Sequence, residues 1–156
     1  MPNEVLVLGQ VALAMLLGSV VGLERELAGK PAGLRTHMLV AGAAGLLVAL
    51  GDIMLEHFAL VTGFELIRSD PIRIVEAIIT GISFLGAGTI IRSREKHSVE
   101  GLTTAASILL VAAIGATVAL SQWILAVGVT ILALITLRVV IVVEQWVKRT
   151  RGNAES

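Results

Sequence analysis

Arg73, Glu76, Thr80, Ser83 and Ala87 follow one another at spacings of 3, 4, 3 and 4, with Asp70 just before them. On a helix these residues share one face. A carboxylate beside two hydroxyls can bind a cation or pass a proton, and a neighbouring arginine can instead neutralise the carboxylate as an ion pair. A third reading is interfacial solvation, since Glu76 lies about one turn inside the outer edge of its run. In an apolar segment either of the first two requires that the ionisable group meet a partner or a cavity.

A second concentration of charge lies in Gly22–Thr36, which reads GLERELAGKPAGLRT. Glu24 and Glu26 sit where one apolar run ends, and Arg35 and Thr36 where the next begins. A helix C-terminus carries partial negative charge and an N-terminus partial positive charge, so both carboxylates and Arg35 oppose the local dipole. Arg25, beside the carboxylates, agrees with it. Pairing Glu24 or Glu26 with Arg35 across the hairpin would offset both mismatches, with Arg92 as a further member of the cluster. The competing reading is solvated charge in a flexible turn.

Asp52, Glu56, Glu65 and Asp70 form an acidic stretch between the second and third apolar runs. Carboxylates suit Mg²⁺, which keeps several waters and takes only one or two protein ligands. The loose spacing fits a solvated acidic loop equally well. Phe58 and Phe64 would anchor that loop at a bilayer surface. His37, His57 and His97 share no metal-ligand spacing and read as interfacial histidines. There is no phosphate-binding glycine loop, no nucleophile elbow and no cysteine, so no enzyme activity and no organic cofactor is expected, and Mg²⁺ enters only as a ligand or transported ion.

The elements that must position these residues follow from composition. Hydrophobic residues make up 56% of the 156-residue chain, charged residues 15% and aromatic residues 3%, with 16 glycines and a mean hydropathy of +0.92. A net charge of zero gives no reason to expect nucleic acid as a partner. A bilayer-crossing helix needs about 20 apolar residues. Five runs qualify: 5–23, 36–55, 72–91, 102–120 and 122–143. They predict an all-α integral membrane protein with a transmembrane domain over 1–147 and a short basic tail over 148–156. Met1–Glu4 carry no Lys or Arg, so the first run reads as a permanent helix rather than a cleaved signal.

Nine of the twelve Lys and Arg residues fall on one side of this five-span scheme, in the first and third connections and the tail. The positive-inside rule then puts the N-terminus outside and the C-terminus in the cytoplasm. Arg138, near the inner end of the fifth run, can snorkel to the headgroups. A shift of 68 residues overlays Val5–Leu23 on Arg73–Ile91 and Thr36–Met54 on Thr104–Gln122, which suggests a parallel repeat of two helical hairpins, against two hairpins of equal length by chance. Small residues recur at helical spacing, including Gly18, Gly22, Gly45, Gly81, Gly86 and Gly88. Such positions let membrane helices approach closely, within one chain or in a dimer.

The pieces GLERE, GLRTH, GISFLGAGTI and GLTTAA, in this order over roughly Gly18–Leu120, resemble the membrane domain of the MgtC/SapB family. The resemblance implies a multi-pass protein of the bacterial inner membrane, linked to growth under magnesium limitation and, in pathogens, to survival inside host cells. The matched polar positions are Glu24, Arg25, Glu26, Arg35, Thr36, Asp70, Arg73, Thr103 and Thr104. Many members add a soluble cytoplasmic domain after the last span. This chain reads as a short member without it, so regulation residing there does not carry over. The expectation is a small inner-membrane protein that binds and modulates other membrane proteins. The alternative is an oligomeric transporter or channel for Mg²⁺ or another cation. The expected partners are lipid, a second copy of the chain and other membrane proteins.

Overall fold

Each of the five apolar runs contains a helix in the computed structural model, which describes residues 4–62, 71–93 and 98–152. In chain order the elements are α1 (Glu4–Leu27), α2 (Leu34–Thr62), α3 (Pro71–Ala87), β1 (Ile91–Ser93), β2 (Ser98–Glu100), α4 (Leu102–Ala119) and α5 (Trp123–Gly152). Among the described residues, α1, α2 as Leu34–His57 and α4 are long and apolar enough to cross a membrane, and Trp123–Val139 of α5 is a shorter apolar helix. Their outward surfaces are strongly apolar. Ile124 of α5 is 93% exposed and Leu8 of α1 70% exposed, as side chains facing lipid would be.

The core is made of small and β-branched side chains. Ala14 and Val21 of α1, Ala41 and Ala44 of α2, and Ile108, Val111, Ile114 and Val118 of α4 are buried together. α1, α2 and α4 pack most extensively on one another, while α3 and α5 lie against this trio. Without bulk water to drive apolar surfaces together, such packing relies on close approach at small residues. A Cβ on Gly18 would stand 2.6 Å from the His37 carbonyl oxygen, and one on Gly22 would stand 2.8 Å from Leu34 Cα. A Cβ on Gly45 would stand 3.0 Å from the Gly115 carbonyl oxygen, and one on Gly115 would collide with the Ala41 carbonyl. Gly86 rests against Ala105. Gly81 and Gly88 do not serve this purpose. Among the described residues nothing comes within 4 Å of a Cβ at Gly81, and one at Gly88 meets only the carbonyls of its own turn.

The ends of the helices differ from the hydropathy reading for local reasons. The first run is apolar to Leu23, yet α1 continues through Glu24, Arg25 and Glu26. It then stops in a Schellman motif. Gly29, with φ of 65°, donates its N–H to Glu26 O, and Lys30 donates to Arg25 O, with Pro31 following. The third run is apolar to Ile91, but α3 stops at Ala87. The N–H groups of Thr89 and Ile90 bond to Gly86 and Ala87 carbonyls, and Thr89 Oγ1 donates to Gly86 O. The chain then enters an antiparallel hairpin in which Ile91 pairs with Glu100, Arg92 with Val99 and Ser93 with Ser98. Apart from this hairpin of three-residue strands, the described elements are all helical, as the apolar runs predict. Gly101, with φ of 92°, lies against the Thr89 carbonyl and turns the chain into α4. A second Schellman pattern joins α4 to α5, with Ser121 at φ of 58° and bonds from Ser121 N to Val118 O and from Gln122 N to Thr117 O. Gln10 of α1 donates from Nε2 to Ala119 O and Ser121 Oγ, which ties that turn to the bundle.

Candidate polar core at one end of the bundle

The end of α1, the start of α2 and the start of α4 meet at one end of the bundle, and polar side chains are buried there. Glu24 and Arg25 are consecutive on α1, and both turn inward, at 5% and 1% exposure. The Arg25 Nε lies 2.5 Å from Glu24 Oε2. Arg138 of α5 approaches the other carboxylate oxygen, with Nε 3.6 Å from Oε1, while remaining exposed. Two guanidinium groups therefore share one carboxylate. The Arg25 Nη2 is buried and has no hydrogen-bond acceptor among the described residues. A buried ion pair is held against a large desolvation cost only when its geometry and remaining hydrogen bonds are good, so one unmet donor leaves this cluster short of an acceptor.

Glu26 serves a different purpose. It faces out, and its Oε2 accepts the Leu34 N–H at 2.8 Å, so the last turn of α1 supplies the N-terminal cap of α2. The absent side chain of Gly33 leaves room for this carboxylate, because a Cβ there would stand 2.7 Å from Oε2. The carboxylate thereby meets the positive end of a helix dipole. Neither Glu24 nor Glu26 pairs with Arg35, which is exposed. The expected hairpin ion pair is thus replaced by a buried Glu24–Arg25 pair and a Glu26 cap. Thr36 is half-buried, and the side chain of Arg92 lies outside the described residues.

His37, read from the sequence as an interfacial histidine, is fully buried. It is seated by Gly22, whose Cβ would stand 2.8 Å from His37 Cβ. Its Nδ1 lies 2.8 Å from Gly33 O, and its Nε2 lies 3.0 Å from Ser107 Oγ on α4. Because a carbonyl can only accept, Nδ1 carries a proton. Ser107 Oγ also lies 2.8 Å from Thr104 O. In a neutral imidazole Nε2 accepts, so the single Ser107 hydroxyl proton is shared between Nε2 and the Thr104 carbonyl. The three helices are linked here by polar contacts as well as by packing. The sequence signal for this was Gly22 lying opposite His37 across a short turn, with Ser107 and Thr104 one turn apart on α4.

The second candidate stripe lies elsewhere. α3 packs inward through Ile74, Ile78, Ile82 and Gly86. Arg73, Glu76, Thr80 and Ser83 are exposed on the opposite side of the helix. Arg73 and Glu76 form no ion pair with each other, and Thr80 Oγ1 donates to the Glu76 carbonyl at 2.8 Å. Asp70, Phe64, Glu65 and His97 lie outside the described residues, as does the side chain of Phe58, while Asp52 is exposed on α2. Among the described residues no three acidic, histidine or cysteine side chains are grouped to hold a metal ion.

Beside the polar core is a cavity of about 380 Å³ lined by α1, α4 and α5, including Val21, Thr103, Leu110, Val129, Ala133 and Leu137. Its walls are apolar except for Thr103, Ser107 and Thr136.

Comparison with known proteins agrees with the resemblance in the motifs. The model of the MgtC family matches residues 11–146. An uncharacterised protein of Haemophilus influenzae is 39% identical over 148 residues, which cover 95% of this chain and 61% of the relative. YhiD of Escherichia coli K12, named as a proposed magnesium transporter, is 34% identical over 83% of this chain and 58% of its own length. MgtC of Salmonella typhimurium is 38% identical over 78% of this chain and 46% of its own length. The chain therefore spans about half to three fifths of these relatives. No solved structure matches it. With its long apolar helices, the chain is a membrane protein, and it belongs to the MgtC family.

Proposed function

We propose that this protein is a small multi-pass protein of the bacterial inner membrane that acts in magnesium homeostasis by binding other membrane proteins and modulating them. The observation that carries this reading is the outward face of α3. Arg73, Glu76, Thr80 and Ser83 point away from the bundle, opposite the side through which α3 packs. Ionisable and hydroxyl side chains facing lipid are costly, and a partner helix relieves that cost. Gly81, exposed on the flank between this face and the packed side, has open space before it that the edge of such a helix would use. A second copy of the chain or another membrane protein is the occupant. The names of the relatives supply the magnesium context. In this reading all five helices cross the bilayer, the two hairpins α1–α2 and α3–α4 form a parallel repeat, and the N-terminus is outside. No enzymatic step is involved.

A second reading, an oligomeric cation transporter, is favoured by the same Glu76, Thr80 and Ser83 face, which a second copy would close into a polar path. Reconstitution in liposomes with an internal Mg²⁺ indicator separates the two. The partner reading expects no flux above protein-free vesicles, and expects Gly81→Leu to abolish co-purification of membrane partners without lowering thermal stability. Mg²⁺ flux abolished by Glu76→Gln would overturn it. The absence of native cysteine makes the topology directly testable by single-cysteine labelling.

A further inference from the structure

The cavity between α1, α4 and α5 and the charged cluster beside it share one end of the bundle. Val21, on the cavity wall, precedes Arg25 by one helical turn, and Leu137, also on the wall, immediately precedes Arg138. Thr103, a third wall residue, lies in the first turn of α4, where no side chain caps the helix at Gly101. Arg25 and Arg138, which share one carboxylate, thus follow wall residues by one turn and by one residue, at the same end as the uncapped N-terminus of α4. Each of these features favours an anion. The buried Arg25 Nη2, with no acceptor among the described residues, shows independently that the cluster holds more donors than acceptors.

The geometry points to a site for one anionic phospholipid. An acyl chain fills the cavity along Val21, Leu110, Val129 and Ala133, and the phosphate lies against Arg138 and the start of α4. The ligand is an amphiphile because the two halves of the site are chemically opposite. An inorganic anion would leave the apolar space unfilled, and a neutral lipid would leave the excess positive charge uncompensated. Exposed Arg138 makes the direct contact, and buried Arg25 acts through the field of the cluster. A basic pocket between membrane helices at headgroup level is the usual form of such a site.

The test uses the full chain purified in a neutral detergent, with thermal unfolding followed by its own tryptophan fluorescence. Dioleoyl phosphatidylglycerol, dioleoyl phosphatidylcholine and inorganic phosphate are added separately. The expected result is a clear rise in midpoint with phosphatidylglycerol, a smaller rise with phosphatidylcholine and none with phosphate. Arg138→Gln reduces the phosphatidylglycerol response to that of phosphatidylcholine, and Arg138→Lys preserves most of it. Ala106→Phe, at an exposed wall position, blocks the chain and removes the response to both lipids. Equal responses to the two lipids in the wild type would overturn the proposal, as would a response to phosphate alone. So would an undiminished lipid response in Ala106→Phe, or a change of oligomeric state in that variant, which would make the cavity an interface between copies.

Discussion

The Glu26 carboxylate accepts the backbone N–H of Leu34 at 2.8 Å, so the last turn of α1 caps the first turn of α2. The two helices are therefore joined at their ends by a hydrogen bond as well as by the turn between them. Glu26→Ala is expected to destabilise the protein by about 1 kcal/mol, the usual cost of losing an N-cap acceptor. Glu26→Gln, which keeps an oxygen acceptor, loses less. Arg35→Gln, exposed and unpaired with either carboxylate, is expected to be neutral. Thermal unfolding of the three variants in detergent checks this, and a loss in Arg35→Gln equal to that in Glu26→Ala would restore the hairpin ion pair.

Glu24 and Arg25 are buried together, so removing one partner strands the other. Glu24→Gln is expected to cost about 3–5 kcal/mol, the range for breaking a buried pair. The double variant Glu24→Gln/Arg25→Met is expected to be less damaged than Glu24→Gln alone, because no uncompensated buried charge remains and Arg138 is exposed to solvation. Stability of both proteins in the same detergent decides the point.

Two glycines on different helices are expected to behave oppositely. Gly115→Ala drives a methyl into the Ala41 carbonyl and is expected to cost at least about 1–3 kcal/mol, the penalty for overpacking. Gly81→Ala adds a methyl where nothing is close and gains about 0.5–1 kcal/mol from helix propensity. Paired melting curves give the comparison.

The buried hydrogen bond between His37 and Ser107 is expected to appear as energetic coupling. A double-mutant cycle of His37→Ala and Ser107→Ala should return about 0.5–1.5 kcal/mol, the net worth of an ordinary buried hydrogen bond. Additive losses would mean that the two side chains stabilise the bundle independently.

Hydropathy located the helices because a bilayer-scale apolar run has few alternatives to a helix. It misplaced their ends where polar residues behave as interior ones. Leu23 looked like the end of α1 because the next residues are charged, yet Glu24 and Arg25 are buried and extend the helix to Leu27. Ile90 and Ile91 looked like continuing helix, but backbone bonds around Gly86 and Ala87 had already ended it. Dipole reasoning identified the right problem for Glu24 and Glu26 and the wrong remedy. It weighed charges along the chain, whereas the structure brings Arg138 from over a hundred residues away and offers a helix end as the partner of Glu26. The helical spacing of Arg73, Glu76, Thr80 and Ser83 was legible, but their outward direction was not, since spacing does not say which side of a helix meets the bundle. His37 was missed because a lone histidine carries no spacing signal, and the side chain it bonds, Ser107, lies on another helix.

Where Gly115 meets the backbone of Ala41, α2 and α4 touch with no side chain between them. The separation of the two helix axes at that level is therefore set by backbone van der Waals contact, and no rotamer change on either helix can shorten it.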